Sequence, residues 1–240
     1  VLKTILQDSG LFTVEVATSP PQGADISGFK PEFAKYNVVV SNYNGDPWSQ
    51  RTQQALIDYV GSGGGFVSVH AANNAFPEWK EYNKMIGLGG WGGRDEKSGP
   101  YVYFQGDRFI LGRSPGRGGG HGRRHPFQIV VRNREHPITA GLPEKWMHAE
   151  DELYHRLRGP AENVTFLATA YSEPETGGTG AHEPMLFVIT YGKGRVFHTT
   201  LGHSAQAMKS PDFVVTLQRG VEWAATGKVT QKIPQDFHKE

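Results

Sequence analysis

The chain has 240 residues, enough for one large domain, and 37% of them are hydrophobic, enough for a substantial core. Lys and Arg number 25 against 24 Asp and Glu, so the chain lacks the excess of positive charge typical of proteins that bind nucleic acids or anionic membranes. The absence of Cys excludes disulfides, thiolate metal sites and Cys nucleophiles. No apolar run approaches the ~20 residues that span a bilayer, and no signal peptide is recognisable. We therefore expect neither a nucleic-acid nor a membrane partner.

The first segment predicts a helix followed by a strand. Leu2, Ile5 and Leu6 form a helical stripe, Gly10 is typical of a helix end, and apolar residues alternate over 12–16. Because a doubly wound sheet normally begins with a strand, we expect the first strand to be missing at the N-terminus.

Strand, helix and strand then follow with short joins. Residues 36–45 contain a continuous apolar run, which is typical of a strand buried on both faces. Asp46 can cap a helix that Gly61 ends, and Phe66–Val69 form the next strand. This order predicts a right-handed parallel crossover.

The second half of the chain begins with a Gly-rich stretch. A helix is predicted over Pro77–Met85, and the Gly-rich residues 87–122 predict an insertion or lid. Apolar runs on either side of Gly192–Gly194 predict a hairpin, and Ser210 to Gly227 predicts the last helix.

Histidines occupy positions where open α/β sheets bind ligands. His70 and His198 each follow an apolar strand segment directly, and His203 lies a short loop further on. A single strand-end His is more often a structural group. Because ligands bind beyond the carboxyl ends of such strands, the set of these residues predicts a site.

The densest cluster of titratable residues is the segment 148–155. If this segment is extended, alternate residues share a face. One face then carries His148, Glu150, Glu152 and Tyr154, and the other carries Asp151 and His155. A carboxylate in an apolar cleft can act as a general base, whereas on a solvated edge strand the same charges prevent aggregation. A divalent metal is a further possibility, although no fixed ligand motif such as HExxH is present.

Polar and aromatic residues near His70 suit a sugar. Asn73 and Asn74 can hydrogen-bond to hydroxyl groups, and Trp91 can stack on a sugar ring, although Asn is also common in turns and aromatic residues in cores. The Gly runs match neither a P-loop nor a dinucleotide fingerprint, and no Gly-x-Ser-x-Gly elbow is present.

Several motifs, taken in order, resemble the ThuA-like family (trehalose utilisation) of the class I glutamine amidotransferase-like superfamily. They are YNVVVSNYNG, GGGFVSVHAANNAF, HPITAGLP, EDELYH and YGKGRVFHTTLGHS, and the match runs from Tyr36 to Gly227. The resemblance implies an α/β, three-layer, flavodoxin-like fold with a mainly parallel central sheet. It also implies a single domain over residues 1–240, with the Gly-rich insertion at 87–122.

The resemblance further implies sugar chemistry without a thiol. In the superfamily a strand-end turn holds a nucleophilic Cys and a late strand ends in a catalytic His; His70 occupies the first position and His198 resembles the second. The family's link to trehalose, other disaccharides and keto sugars implies isomerisation or related proton transfer beside a carbonyl. We assign proton transfer to His70 and Glu152. Substrate positioning or charge stabilisation then falls to His148, Asp151, Tyr154, His198 and His203.

Alternatives to this enzyme remain. One is a non-catalytic sugar-binding or assembly domain of the same fold, and another is a metal-assisted sugar hydrolase. The expected partner is a small-molecule sugar, and the insertion can also serve as a contact between subunits of a homo-oligomer. The absence of Cys and a processed start favour a periplasmic or secreted setting over the cytoplasm.

Overall fold

The structure is a computed structural model that describes residues 1–235 and residue 237. In this part of the chain the α-helices are α1 (Leu2–Asp8), α2 (Gln50–Gly61), α3 (Lys80–Ile86) and α4 (Pro211–Thr226). The strands are β1 (Val38–Ser41), β2 (Gly65–Val69), β3 (Tyr101–Gln105), β4 (Arg108–Gly112), β5 (Gly120–His121), β6 (His125–Val131), β7 (Lys145–Asp151), β8 (Tyr154–His155), β9 (Val164–Tyr171), β10 (His182–Tyr191) and β11 (Gly194–Thr199). None of the described helices is long and apolar enough to cross a membrane.

The described strands form a large mixed sheet and a small two-stranded one. The large sheet has the order β1-β2-β11-β10-β9-β6-β7, with β3 and β4 attached beside β10. β1, β2 and β11 are mutually parallel, whereas β10, β9, β6 and β7 run antiparallel to their neighbours. The predicted α/β class is confirmed, but the prediction of a mainly parallel sheet is wrong. From β6 to β11 the chain joins its strands through turns and loops without an α-helix, and such joins favour antiparallel pairing.

Side chains that alternate along the central strands divide the core into two layers. Val67 of β2 and Phe197 of β11 belong to one apolar cluster, which includes residues of α1 and α4. Their neighbours Phe66 and Val196 belong to a second cluster, which includes residues of α2 and α3. Because successive strand residues point to opposite faces, helices cover both faces of the sheet and the molecule has three layers.

The Gly-rich segment 87–122 folds against the main sheet. Its hairpin β3–β4 pairs with β10 through Phe104 and His182, and its last strand β5 pairs with β8. Gly119 has a φ of +85°, and a Cβ there would come within 2.6 Å of the Trp91 backbone nitrogen. Glycine is therefore required where the two ends of the insertion pass each other. The strand predicted at residues 12–16 does not form, although the helix before it does.

Candidate active site

His70 lies where the chain turns from β2 into a short 3-10 helix. Its backbone φ is 46°, in the left-handed region that non-glycine residues seldom adopt. Its Nδ1 lies 2.7 Å from the carbonyl oxygen of Thr200, which can only accept, so Nδ1 carries the proton of the neutral ring. Nε2 then holds a lone pair, is buried, and has no hydrogen-bond partner among the described residues. A buried, unpaired nitrogen of this kind indicates a place for a ligand.

Imidazole nitrogens surround the carboxylate of Glu152. Oε2 lies 3.1 Å from Nδ1 of His203 and 3.7 Å from Nε2 of His70, and Oε1 lies 3.8 Å from Nε2 of His121. The nearby Nε2 of His70, and the positive charge that these rings can carry, hold the pKa of Glu152 below its ordinary value, although burial opposes the shift. The carboxylate is therefore ionised at neutral pH. We define the central cluster as His70, Glu152 and His203, with His121 beside it.

The end of β7 departs from simple alternation. Asp151 pairs with His125 and His148 pairs with Phe127, so two residues of β7 between these pairs are opposite one residue of β6. This β-bulge shifts the alternation by one residue and brings His148 and Asp151 to the same side. The prediction that these two residues lie on opposite faces is therefore wrong.

His148 forms a buried bridge between two carboxylates. Its Nε2 lies 3.0 Å from Oδ2 of Asp151, and its Nδ1 lies 2.8 Å from Oδ2 of Asp212. Burial alone would lower the pKa of His148, but hydrogen bonds to these carboxylates outweigh it and raise that pKa to about 9. The same contacts hold the pKa values of both Asp carboxyls below their ordinary value against the opposing effect of burial. The bridge is thus a protonated imidazole between ionised carboxylates.

Asp151 joins this bridge to the central cluster. Its carboxylate accepts hydrogen bonds from the backbone N–H groups of Gly202 at 2.6 Å, His203 at 2.9 Å and Glu152 at 2.9 Å. The backbones that carry the Glu152 and His203 side chains are therefore fixed by one buried carboxylate. His148 and Asp151 support the cluster from inside the protein.

His198 lies in β11 and is fully buried. Its Nδ1 donates to the carbonyl oxygen of Ile86 at 2.7 Å, and its Nε2 accepts from the side-chain amide of Asn73 at 3.1 Å. Burial lowers the pKa of His198 to about 4, so the ring is neutral. Both ring nitrogens have protein partners, in contrast to those of His70.

Aromatic rings form one wall of the site. The ring centroids of Tyr154 and His70 are 4.2 Å apart, and those of Trp91 and Tyr154 are 4.6 Å apart. Asn74, which follows the same turn as His70, has a buried side-chain oxygen with no partner in the described part of the chain. The predicted sugar-binding residues Asn74, Tyr154 and Trp91 therefore lie beside His70 or along this wall, while Asn73 faces His198.

A cavity of about 600 Å³ opens beside the cluster. Residues that line it include Trp91, His121, His155, Arg117, Arg156 and Arg158. Most of these come from the insertion or from the segment around β8, and only Trp91 and His155 among them were candidates from the sequence. The signal for His121 was weak because it stands in a Gly-rich stretch with no strand pattern, and only the pairing of β5 with β8 brings it to Glu152.

Comparisons with known proteins agree with this architecture. The family model ThuA, described as trehalose utilisation, matches residues 1–224. A solved ThuA-like protein from Parabacteroides merdae is 50% identical with a TM-score of 0.96, over 99% of this chain and 87% of that one. A solved ThuA-like protein from Bacteroides uniformis is 18% identical with a TM-score of 0.56, over 84% of this chain and 74% of that one, and shows the fold alone. A search of curated proteins found no match. The predicted resemblance is confirmed, and the chain belongs to the ThuA family.

Proposed function

We propose that this protein is a carbohydrate-processing enzyme that transfers a proton next to the carbonyl group of a keto sugar. The observation that carries the proposal is the buried, unpaired Nε2 of His70, 3.7 Å from an ionised Glu152. The family description, trehalose utilisation, supports trehalose or another disaccharide derivative as the substrate. The reaction is an isomerisation or a related step.

The geometry suits removal of a proton by His70. Nε2 takes the proton from the carbon beside the carbonyl, and the electrons of the broken C–H bond form an enolate. Glu152 stabilises the imidazolium that results, at 3.7 Å. Burial raises the pKa of Tyr154, so its hydroxyl keeps its proton and can donate a hydrogen bond to the enolate oxygen. Return of the proton to the former carbonyl carbon, together with transfer of the hydroxyl proton of the adjacent carbon to the enolate oxygen, completes the isomerisation.

A path for proton exchange with water leads through His203. Its Nδ1 lies 3.1 Å from Glu152, and its side chain is 38% exposed. A proton on His70 can pass through Glu152 and His203 to solvent. Deuterium from heavy water should then enter the sugar at the carbon beside the carbonyl.

The other predicted residues receive supporting roles in this proposal. His148 and Asp151 position Glu152 and His203, and His198 with Asn73 holds the turn after β2. Asn74 is proposed to bind a sugar hydroxyl through its unpaired oxygen, and Trp91 to contact the sugar ring.

The proposal is tested by incubating the protein in heavy water with trehalose, other disaccharides and their 3-keto derivatives, followed by NMR. We expect deuterium beside the carbonyl of at least one keto derivative, or a new keto isomer. A sugar that binds without any exchange or turnover would instead support a non-catalytic binding domain.

A second candidate function is metal-assisted sugar hydrolysis. His70, Glu152 and His203 each offer one atom that could bind a metal ion, and these three atoms lie within 4.8 Å of one another. The Nδ1–H of His70 donates to a backbone carbonyl, as in many metal-bound histidines. These residues fit a divalent ion, which would activate water or polarise a sugar oxygen. This candidate would be favoured if elemental analysis found about one metal ion per chain and if adding a chelator abolished turnover. Substoichiometric metal and turnover that resists the chelator would exclude it.

Two expectations from the sequence stay proposals. A periplasmic or secreted setting is supported by the absence of Cys. A homo-oligomer is supported by β4, which pairs only with β3 in the described sheet and whose Leu111 is 50% exposed. Light scattering of the purified protein tests the oligomer.

A further inference from the structure

The cavity beside the central cluster is lined by three arginines. Arg117, Arg156 and Arg158 line it, and no Asp or Glu of the described residues does. His121 and His155 line it as well, but burial lowers the pKa of His155 to about 4, so that ring adds no positive charge at neutral pH. His121 also lies 3.8 Å from Glu152, so the cavity and the cluster share a wall. A substrate whose reactive end reaches His70 would therefore extend toward the arginines.

Arg158 is a buried cation without a close carboxylate. Only 4% of it is exposed, and its terminal nitrogens donate to the carbonyl oxygens of Gly99 and Ser114. Its Nε is buried without a partner in the described part of the chain. Glu96 lies nearby but is exposed. The main cause that lowers the pKa of its carboxyl is the hydrogen bond from the backbone N–H of Gly116, and the charge of Arg158 is a smaller cause. A buried guanidinium with an unpaired N–H is unfavourable unless a ligand supplies an acceptor.

Arg156 lines the cavity with an exposed side chain that has no carboxylate partner among the described residues. Its side chain is exposed, and its backbone φ is 54°. Its backbone N–H donates to Glu183, a buried carboxyl that also accepts from Tyr101 and Thr179. Glu183 is thus occupied by other donors, and the guanidinium of Arg156 forms no ion pair within residues 1–235 and 237.

We propose that the substrate is a sugar with an anionic group, a phosphate or a carboxylate, and that Arg117, Arg156 and Arg158 bind this group. The inference rests on the proposed function, because it places the carbonyl end of the same sugar at His70 and Glu152. Guanidinium groups bind phosphate and carboxylate oxygens in pairs of parallel hydrogen bonds, which orients the ligand as well as attracting it. The arginines then select anionic sugars and orient them so that the carbonyl end reaches His70 and Glu152.

The test compares the binding of neutral and anionic sugars by calorimetry. The probes are glucose, glucose 6-phosphate, glucuronate, trehalose and trehalose 6-phosphate, and the proteins are the wild type, the double variant R117Q/R156Q and R51Q. Arg51 is an exposed arginine on α2, outside the cavity, and serves as the matched control. We expect at least one anionic sugar to bind about tenfold or more tighter than its neutral counterpart, with the advantage lost in R117Q/R156Q and kept in R51Q. The phosphate and carboxylate probes distinguish the two anions.

Equal binding of neutral and anionic sugars would overturn the inference, as would an advantage that R117Q/R156Q retains. The failure of the proposed function has a different signature. Proton exchange in a neutral keto sugar at a rate unchanged in R117Q/R156Q would keep the proposed function and contradict the anionic substrate. Arginine-dependent binding of an anionic sugar whose keto derivative shows no exchange would keep the anionic ligand and contradict the function.

Discussion

At the scale of single residues, the proton that makes His148 positively charged stabilises two buried carboxylates next to the candidate site. The imidazole of His148 contacts Asp151 at 3.0 Å and Asp212 at 2.8 Å, and its side chain is fully buried. Trp146 and Ser210 also donate to Asp212. Without the positive charge of His148, two ionised carboxylates would share this buried space, which is strongly unfavourable.

Replacing His148 by Gln should therefore lower the free energy of unfolding by about 3–5 kcal/mol near pH 6. The pKa of this group rises from 6.5 to about 9 on folding. Its contribution is thus complete below pH 6.5 and declines as the pH rises through 9. Urea denaturation of the wild type and H148Q at intervals between these values should show the difference between the two proteins shrinking. A difference that is constant or grows with pH would contradict the protonated bridge.

Side-chain positions were predictable where a simple rule applied. Ligand sites lie at the carboxyl ends of parallel strands, and this rule placed His70 at the site. The bulge at the end of β7 was not predictable, because it is a property of the pairing between β7 and β6 and leaves no mark on the β7 sequence alone. His121 was missed for a similar reason, since only its pairing partner in β8 brings it to the cluster.

At the scale of elements, the position of β11 depends on close contact with α4. Gly220 of α4 faces Phe197 of β11, and a Cβ at residue 220 would overlap the Phe197 ring. Phe197 directly precedes His198, and the chain continues from β11 to His203. The packing of α4 on β11 therefore fixes the start of the loop that carries His203.

The variant G220A should destabilise the protein by about 1–3 kcal/mol, because the overlap with a buried ring outweighs the gain of up to ~1 kcal/mol in helix propensity. The matched control is G28A, since residue 28 is exposed and a Cβ there meets no described atom within 4 Å. Thermal unfolding should show a lower midpoint for G220A and a midpoint near wild type for G28A. Equal midpoints for the two variants would mean that α4 does not pack on β11 in this way.

Local elements followed from the sequence better than their arrangement did. The hairpin through residues 192–194 and the last helix were predicted from apolar runs bounded by Gly, and both form. The mainly parallel sheet was expected from the family resemblance, whereas the strand–helix–strand order predicted only one parallel crossover, which β1 and β2 form. The antiparallel half depends on which strands pair across long stretches of sequence, such as β6 with β9, and local patterns do not encode that choice.

At the scale of the whole molecule, the site is where distant segments meet. The turn after β2 supplies His70, the segment after β7 supplies Glu152, the loop after β11 supplies His203 and the insertion supplies His121. Asp151 connects two of these segments through backbone hydrogen bonds. The parallel pairing of β2 with β11 brings their carboxyl ends together, as the sequence suggested. The approach of the insertion to Glu152 depends on the packing of the complete fold, which the sequence did not predict.

The central claim is that Glu152 and His70 transfer a proton beside a sugar carbonyl. The most direct measurement is the rate of solvent deuterium incorporation into a keto disaccharide by the wild type, E152Q and E150Q, with folding verified by circular dichroism. Glu150 is two residues away and exposed, which makes E150Q the matched control. We predict that E152Q loses about 10²–10⁴-fold in rate and that E150Q keeps the wild-type rate. Incorporation by E152Q at the wild-type rate would contradict the claim.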